Sequence, residues 1–334
     1  MRTSFSNDRA LLEYAGITFP AEFRGYTEDA AQPGLLTQVN AGIPAFLANF
    51  IDPKFIEVLV QPMNATKIAP ERGIGNWTTK TTQFPVIELA GEVSSYGDYN
   101  NNGSAGANVN WVPRQQYIYQ SICKWGDHEL EMNALAKIDY ANQVRNAKAL
   151  AFNKFQNKSY FFGISGLQNY GLLNDPNLSP AITPVTKTGG GTTWAKGAAL
   201  EIYQDVQNMY AQLQKQMHGL VTLDSPLILA LSPNVEVYLT TATQYNVQVR
   251  DLIRKAFPKL EIVVAPEYTT ASGELAQLYA PDVMGQQTVE TGFGDKMRAF
   301  PVFRDLSSFW QKFAAGTWGA ILKQPVAVSQ LLGI

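Results

Sequence analysis

The longest periodic segment of the chain, residues 125–162, constrains the fold more than any other part of the sequence. No glycine or proline interrupts residues 128–159, and apolar residues recur there at the helical spacing of three or four. Asp127 is a suitable N-cap, and Glu129 suits the positive end of the helix dipole. We therefore predict a helix of about 30 residues, roughly 45 Å long, from Asp127 to about Ser159. Its apolar stripe comprises Leu130, Ala134, Ile138, Ala141, Val144, Ala147, Ala151 and Phe155.

The composition indicates a folded protein with an uncharged, polar surface. Of its 334 residues, 46% are hydrophobic and only 16% are charged, and Asn and Gln together outnumber the 28 Asp and Glu residues. Typical soluble domains contain about 25% charged residues. A net charge of −2 with no basic run argues against a dedicated nucleic-acid reader. Weak self-repulsion favours a protein packed against many others, although a merely neutral cytosolic protein remains the alternative.

Residues that carry chemistry are scarce. A single cysteine, Cys123, excludes an intramolecular disulfide, and with only two histidines the chain cannot supply a Cys/His zinc site. His128 and Glu129 lack the second histidine of a metalloprotease motif, and the glycines at 189–191 lack the Gly-Lys-Ser/Thr end of a P-loop. No apolar run approaches the ~20 residues that span a bilayer, and no signal peptide begins the chain. The sequence therefore predicts no catalytic site, cofactor, metal or membrane contact. It indicates a soluble protein that is made and used in a reducing cytoplasm.

Residues 1–65 read as an arm. The segment has little sustained periodicity and is interrupted by prolines and glycines, yet its apolar side chains need burial. Two explanations fit: the arm docks on another subunit, or it packs on its own chain. The apolar side chains that need burial include Phe46, Phe50 and Phe55.

Between residues 67 and 121 the pattern becomes strand-like. Residues 77–82 and 86–89 lead out and residues 109–112 and 116–120 lead back, and all are rich in aromatic and β-branched residues. Residues 97–106, rich in glycine and asparagine, form the turn between them. This pattern predicts a long two-stranded ribbon. Because an isolated hairpin is only marginally stable in water, we expect the ribbon to lie on another surface.

The rest of the chain alternates between helices and strands. A second amphipathic helix is predicted over residues 195–217, and buried strands and short helices alternate over about 220–295, as in a compact α/β unit. Strand-like runs at 297–304, 318–322 and 325–328 return at the end.

This order of arm, ribbon, long helix, glycine-rich loop, α/β unit and returning strands resembles the Hong Kong 97-like major capsid proteins of tailed phages. The resemblance covers essentially the whole chain and is closest to a branch of phage and prophage major capsid proteins whose family domain was formerly of unknown function. The segments that carry it are 91–98 (GEVSSYGD), 165–175 (SGLQNYGLLND), 304–309 (RDLSSF), 315–320 (AGTWGA) and 325–328 (PVAV).

The resemblance implies an α+β fold with five segments. These are an N-terminal arm (1–65), an E-loop (66–124), a peripheral P-domain with the long spine helix and glycine-rich loop (125–219), an axial A-domain (220–295) and returning P-domain strands (296–334). It also implies that the E-loop and the arm contact neighbouring subunits. The implied E-loop contact residues are Trp77, Lys80, Tyr96, Tyr99, Trp111 and Tyr117, and those of the arm are Phe46, Phe50 and Phe55.

The resemblance further implies a non-enzymatic protein that assembles into pentamers and hexamers of an icosahedral head enclosing double-stranded DNA. Implied partners are a separate scaffolding protein, a portal protein and a decoration or cement protein, with nonspecific contact to packaged DNA. Assembly would occur in the host bacterial cytoplasm, and the product would be the virion capsid. The alternatives are an encapsulin-like nanocompartment shell and, less favoured, a cytosolic α/β enzyme built on residues 220–295.

Overall fold

A computed structural model describes residues 62–99, 102–135 and 140–334 of the chain. The predicted arm, with Phe46, Phe50 and Phe55, lies outside these residues. After a short helix, α1 (Ala65–Ile68), and a short strand, β1 (Glu71–Gly73), the chain enters the predicted ribbon.

The ribbon is built from β2 (Thr81–Glu92) and β3 (Ser104–Gln115), paired antiparallel over their full length. Thr81 lies opposite Gln115 at the base, and Glu92 lies opposite Ser104 near the tip, without a register shift. The described part of the chain shows no other strand paired with either. The predicted ribbon is therefore present, but its outgoing leg begins at Thr81, because Trp77 and Thr78 form a turn.

The returning leg ends at Gln115, which corrects the prediction that residues 116–120 continue the ribbon. The next strand, β4 (Tyr117–Gly126), pairs along its whole length with β13 (Ser308–Leu322). Tyr117 lies opposite Thr317, and its ring stacks on Tyr119 at 6.4 Å between centroids. Gln116 separates two strands that have different partners, so one aromatic run contributes to two sheets.

β4 and β13 belong to a five-stranded mixed sheet. Its other members are β1, β11 (Val289–Phe293) and β12 (Arg298–Asp305), with β13 running between β4 and β12 and continuing beside β11. Two helices follow β4 in sequence, α2 (Asp127–Leu135) and α3 (Tyr140–Phe162). Phe152 of α3 packs against Cys123, Trp125 and Phe313, so one face of the sheet is buried beneath this helix. The predicted long helix thus begins at the predicted residue, and residues 136–139 lie outside the described part.

The α/β unit is organised around a second sheet, with strand order β14-β8-β5-β6. These strands are β5 (Leu227–Leu231), β6 (Leu260–Val264), β8 (Gly273–Tyr279) and β14 (Val328–Leu332), and β7 (Thr269–Thr270) also pairs with β8. Helices α4 (Ala199–Gln216), α5 (Pro233–Glu236) and α6 (Val249–Ala256) accompany them, and two short strands, β9 (Asp282–Val283) and β10 (Gln286–Gln287), form a hairpin. Ile202, Val206, Met209 and Leu213 of α4 are buried in the core that includes Leu229 and Leu231 of β5.

The last strand corrects the assignment of all of residues 296–334 to the domain of the long helix. β14 pairs antiparallel with β8, from Val328 opposite Tyr279 to Leu332 opposite Leu275. Residues 325–327, predicted as strand, form a 3-10 turn instead. The reason is burial: Val328 and Leu331 enter different apolar clusters on the two sides of this sheet.

Candidate interaction surfaces

One face of the ribbon is apolar and open to solvent. Residues opposite each other in an antiparallel pair share a face, so Ile87 lies beside Val109 and Pro85 beside Trp111. Ile87 is 60% exposed, Val109 51% and Trp111 55%. We call this surface the ribbon apolar face; it comprises Pro85, Ile87, Ala105, Ala107, Val109 and Trp111.

The opposite face of the ribbon turns towards its own subunit at the base. Phe84 packs against the buried cluster of Ile74, Trp318 and Ile321. Arg114, which shares this face, is 5% exposed. Because the two faces of a strand point in opposite directions, the ribbon apolar face points away from the subunit body at the base. Within the described residues, Ile87, Val109 and Trp111 on this face all stay more than half exposed.

The ribbon base is held by the glycine-rich loop that follows α3. Gln115 donates its backbone N–H to the carbonyl of Gln168 at 3.0 Å, and Gln168 donates its own to the side chain of Gln115 at 3.2 Å. Asn169 is buried, and its side-chain Nδ2 donates to the backbone carbonyls of both Gln115 and Thr317 at 3.1 Å. This loop thus joins the ribbon to β13, which gives the segment 165–175 a structural role.

A buried ion pair adds to this attachment. The Arg114 guanidinium lies 2.9 Å from Asp175 Oδ2, with side chains 6% and 1% exposed. The same guanidinium lies over the Tyr170 ring, 4.8 Å from its centroid. Removing one partner of a buried pair leaves an uncompensated charge, at a cost of about 3–5 kcal/mol. The direction of the ribbon at its base is therefore strongly specified.

The structure separates the contact residues that the sequence predicted. Trp111 lies on the ribbon apolar face, and Tyr96 and Tyr99 lie near the tip, more than nine-tenths exposed. Trp77 and Lys80 precede the ribbon: the Trp77 ring meets Phe300 edge-on at 6.3 Å, and the Lys80 carbonyl accepts the Gln116 amide. Tyr117 lies in the five-stranded sheet, beneath α3.

A second exposed apolar surface, which sequence reasoning missed, covers the face of the five-stranded sheet opposite α3. Phe303 of β12, Trp310 of β13 and Lys124 of β4 lie in one row across three strands. Phe303 is 73% exposed, and Lys124 Nζ lies 3.6 Å from the centroid of the Trp310 ring. We call this surface the outer sheet face; it comprises Ile118, Ile122, Lys124, Phe303, Trp310 and Lys312.

One sequence signal could have revealed this outer sheet face. Along β4 both alternating sets of residues are apolar: Tyr119 and Cys123 point to α3, and Ile118 and Ile122 point to the outer face. A strand that is apolar on both faces is typical of a sheet covered on both sides. Among the described elements α3 covers one face, and Ile118, Ile122 and Phe303 on the other face are exposed.

The tip of the β12–β13 hairpin carries a strained, exposed leucine. Asp305 pairs with Ser308, so Leu306 and Ser307 form a two-residue loop. Leu306 has φ +47° and is 92% exposed. A left-handed backbone costs a non-glycine residue roughly 1–2 kcal/mol, and glycine normally occupies such a turn. The Leu306 side chain therefore buries little of its surface against the described part of its own subunit.

The described residues offer little for catalysis. Burial raises the pKa of the Cys123 thiol, an effect that Lys148 and Arg145 oppose, and a raised pKa lowers the fraction of reactive thiolate. No three His, Cys, Asp or Glu side chains in this part of the chain lie together as metal ligands. An interior cavity beside Leu172, Gln277 and Tyr279 measures only about 10 Å³. Among the described helices, none combines the length and apolar character needed to cross a bilayer.

Comparison with solved structures shows that the fold is that of phage capsids. The capsid of Myoviridae phage XM1 matches with a TM-score of 0.73 at 12% identity, over 89% of this chain and 100% of that one. The capsid of a native GTA particle matches with a TM-score of 0.61 at 10% identity, over 88% of this chain and 99% of that one. A virus-like particle from Pyrococcus furiosus matches less well, with a TM-score of 0.50 at 12% identity, over 79% of this chain and 90% of that one. The predicted Hong Kong 97-like α+β fold is thereby confirmed.

Sequence comparison extends this result from fold to family. Among curated proteins, no sequence matches significantly. A family model described as the Pa193 gp26 major capsid protein, however, matches residues 34–333, which is nearly the whole chain. The chain belongs to the family of the Pa193 gp26 major capsid protein.

Proposed function

We propose that this chain is the repeating subunit of a tailed-phage head, which self-assembles into pentamers and hexamers of an icosahedral shell around double-stranded DNA. The observation that carries the proposal is the ribbon apolar face, exposed in the subunit and pointing away from its body. Family membership makes it a capsid protein of the virion. An exposed contiguous apolar patch of this kind marks an interaction surface.

The partner of the ribbon apolar face is a second copy of the chain. Pro85 and Pro113 have no N–H to offer a further strand, so the ribbon edges are poor templates for strand addition. Its flat apolar face is the better contact. A specific interface buries about 1,600 Å² in total, and a subunit with several such surfaces combines weak contacts into a stable shell.

The outer sheet face is our candidate for the receiving surface. Lys124 and Lys312 there have no ion-pair partner among the described residues, whereas Glu92 and Asp98 lie towards the ribbon tip. Opposite charges across an interface fix its register and suppress wrong partners. Only the charges near the ribbon tip are therefore opposite in sign to those of the outer sheet face, since Glu92 lies on the other side of the ribbon from Ile87.

The five-segment division predicted from the sequence remains part of the proposal, with the changes noted above. The arm (1–65) and the ribbon reach neighbouring subunits, the sheet under α3 forms the P-domain, and residues 220–295 form the A-domain together with β14. We further propose a separate scaffolding protein, a portal protein and a decoration protein as partners. Contact with packaged DNA is nonspecific, and assembly takes place in the cytoplasm of the host bacterium.

An encapsulin-like nanocompartment is the second candidate, favoured by the likeness to the Pyrococcus furiosus virus-like particle. That likeness is weaker than the one to the phage XM1 capsid. Particles purified with their natural contents distinguish the two functions, since a phage head holds double-stranded DNA and a nanocompartment holds cargo protein.

Leu306 provides a clean test of the hairpin tip. We expect Leu306→Gly to keep or raise the thermal stability of the unassembled subunit, because glycine relieves the positive-φ strain. We expect the same variant to lower the yield of assembled particles, because it removes a side chain that contacts a neighbour. Leu306→Asn, which also tolerates this conformation, serves as the polar control and should behave alike. Full assembly of both variants would contradict an inter-subunit role.

The proposed function itself is tested by sedimentation and negative-stain electron microscopy of the full chain. The protein is expressed alone and then with its scaffolding partner. Closed shells, or rings of five and six subunits, are the expected result. A monodisperse monomer or dimer under all conditions would contradict the proposal.

A further inference from the structure

A small basic cavity lies in the α/β unit, between α6 and the start of β6. Its volume is about 310 Å³, and it is open on one side. Arg250 and Arg254 are four residues apart on α6 and therefore lie on one helix face. The cavity is lined by Arg250, Arg254, Lys259, Leu260, Glu261 and Ile262.

The charges in this cavity are not balanced. Three cationic side chains line it against one carboxylate, Glu261. None of the three has a carboxylate within ion-pair distance among the described residues. Like charges at i and i+4 destabilise a helix by about 0.2–0.5 kcal/mol, so this arrangement is unfavourable when empty.

One of the lining residues, Arg250, also carries a buried, unpaired donor. Arg250 Nε is shielded from solvent and has no hydrogen-bond partner in the part of the chain that the structure describes. Buried donors are almost always paired, and an unpaired one needs an explanation. A bound anion would supply the missing negative charge for the exposed cationic groups of the cavity.

We propose that this cavity binds an oxyanion of the phosphate class. Two guanidinium groups can each donate paired N–H groups to phosphate oxygens, and the Lys259 ammonium adds a third positive charge. Leu260 and Ile262 supply the apolar part of the lining. The anion is either free phosphate or the phosphodiester of a nucleic acid. This site does not depend on the proposed shell, because all of its residues come from one chain.

The test is equilibrium dialysis of the full-length protein against radiolabelled orthophosphate at low salt. We expect saturable binding of about one phosphate per chain. The triple variant Arg250→Gln, Arg254→Gln, Lys259→Gln should bind at least about tenfold more weakly, since hydrogen bonds to charged groups are lost. Lys154→Gln with Lys158→Gln is the matched control, an exposed pair four residues apart on α3, and should bind as the unaltered protein does.

A short oligonucleotide added as competitor shows whether the natural ligand is free phosphate or the phosphodiester of a nucleic acid. Displacement of phosphate by the oligonucleotide supports the site with nucleic acid as ligand, and binding without displacement supports it with free phosphate. If the triple variant does not fold, Arg254→Gln with Lys259→Gln replaces it, because both side chains are exposed. Absence of saturable binding, or an equal loss in the α3 control, overturns the proposal.

Discussion

Ile87→Asp is expected to weaken particle assembly by at least about a hundredfold while leaving the subunit folded. Ile87 is 60% exposed, so its replacement removes little from the subunit core. At an interface, by contrast, the substitution loses about 1.5–3 kcal/mol of apolar burial and adds an unpaired buried charge. Since each 1.4 kcal/mol is a tenfold change in an equilibrium constant, the concentration needed for assembly should rise at least about a hundredfold. Sedimentation of the variant over a concentration series measures this shift.

Val86→Asp is the matched control for this prediction. Val86 precedes Ile87 on the same strand, is 49% exposed and points to the opposite face of the ribbon. The Val86→Asp substitution introduces the same charge as Ile87→Asp, with a similar loss of strand propensity. We expect Val86→Asp to assemble far better than Ile87→Asp. Equal effects of the two substitutions would show that the ribbon apolar face is not the docking surface.

Gly163→Ala is expected to cost the subunit about 3 kcal/mol of unfolding free energy. Gly163 has φ +62°, and an added Cβ would lie 2.4 Å from the Asn169 carbonyl oxygen. That oxygen cannot withdraw cheaply, because it accepts the Ile164 amide and the Asn169 side chain is hydrogen-bonded on two sides. The cost combines backbone strain of roughly 1–2 kcal/mol with steric overlap of about 1–3 kcal/mol. Urea unfolding of the unassembled subunit measures it.

Gly166→Ala separates these two costs. Gly166 lies in the same loop with φ +84°, but no atom lies within 4 Å of an added Cβ. Gly166→Ala should therefore lower the unfolding free energy only by the cost of backbone strain, about 1 kcal/mol. Similar losses for the two variants would contradict the close contact between Gly163 and Asn169. Because the loop holds Gln115, we also expect Gly163→Ala to reduce assembly more than its stability loss explains.

The sequence predicted the ribbon and the helices where local patterns were strong. The start of the long helix at Asp127 follows from its N-terminal acidic residues, although the carboxylate that accepts the Gly126 amide belongs to Glu129. Part of the predicted stripe was wrong: Ala147 and Ala151 are exposed, and Phe152 is buried instead. Alanine spacing alone does not show which helix face the larger side chains bury.

What the sequence could not show was pairing between distant segments. Tyr117 continues the aromatic alternation of the ribbon, and nothing local reveals that its strand pairs with β13. Nor does the run 325–328 reveal that β14 pairs with β8. The ribbon apolar face needed the register, since only the pairing of Ile87 with Val109 places these side chains on one face. The strain at Leu306 depends on a backbone angle that leucine rarely adopts.

A cryo-electron microscopy reconstruction of the assembled particle would show whether the ribbon apolar face docks on a neighbouring copy. We expect Ile87 and Trp111, which are exposed in the subunit, to be buried against an adjacent subunit. A shell in which both side chains face solvent, or contact only their own chain, would contradict it.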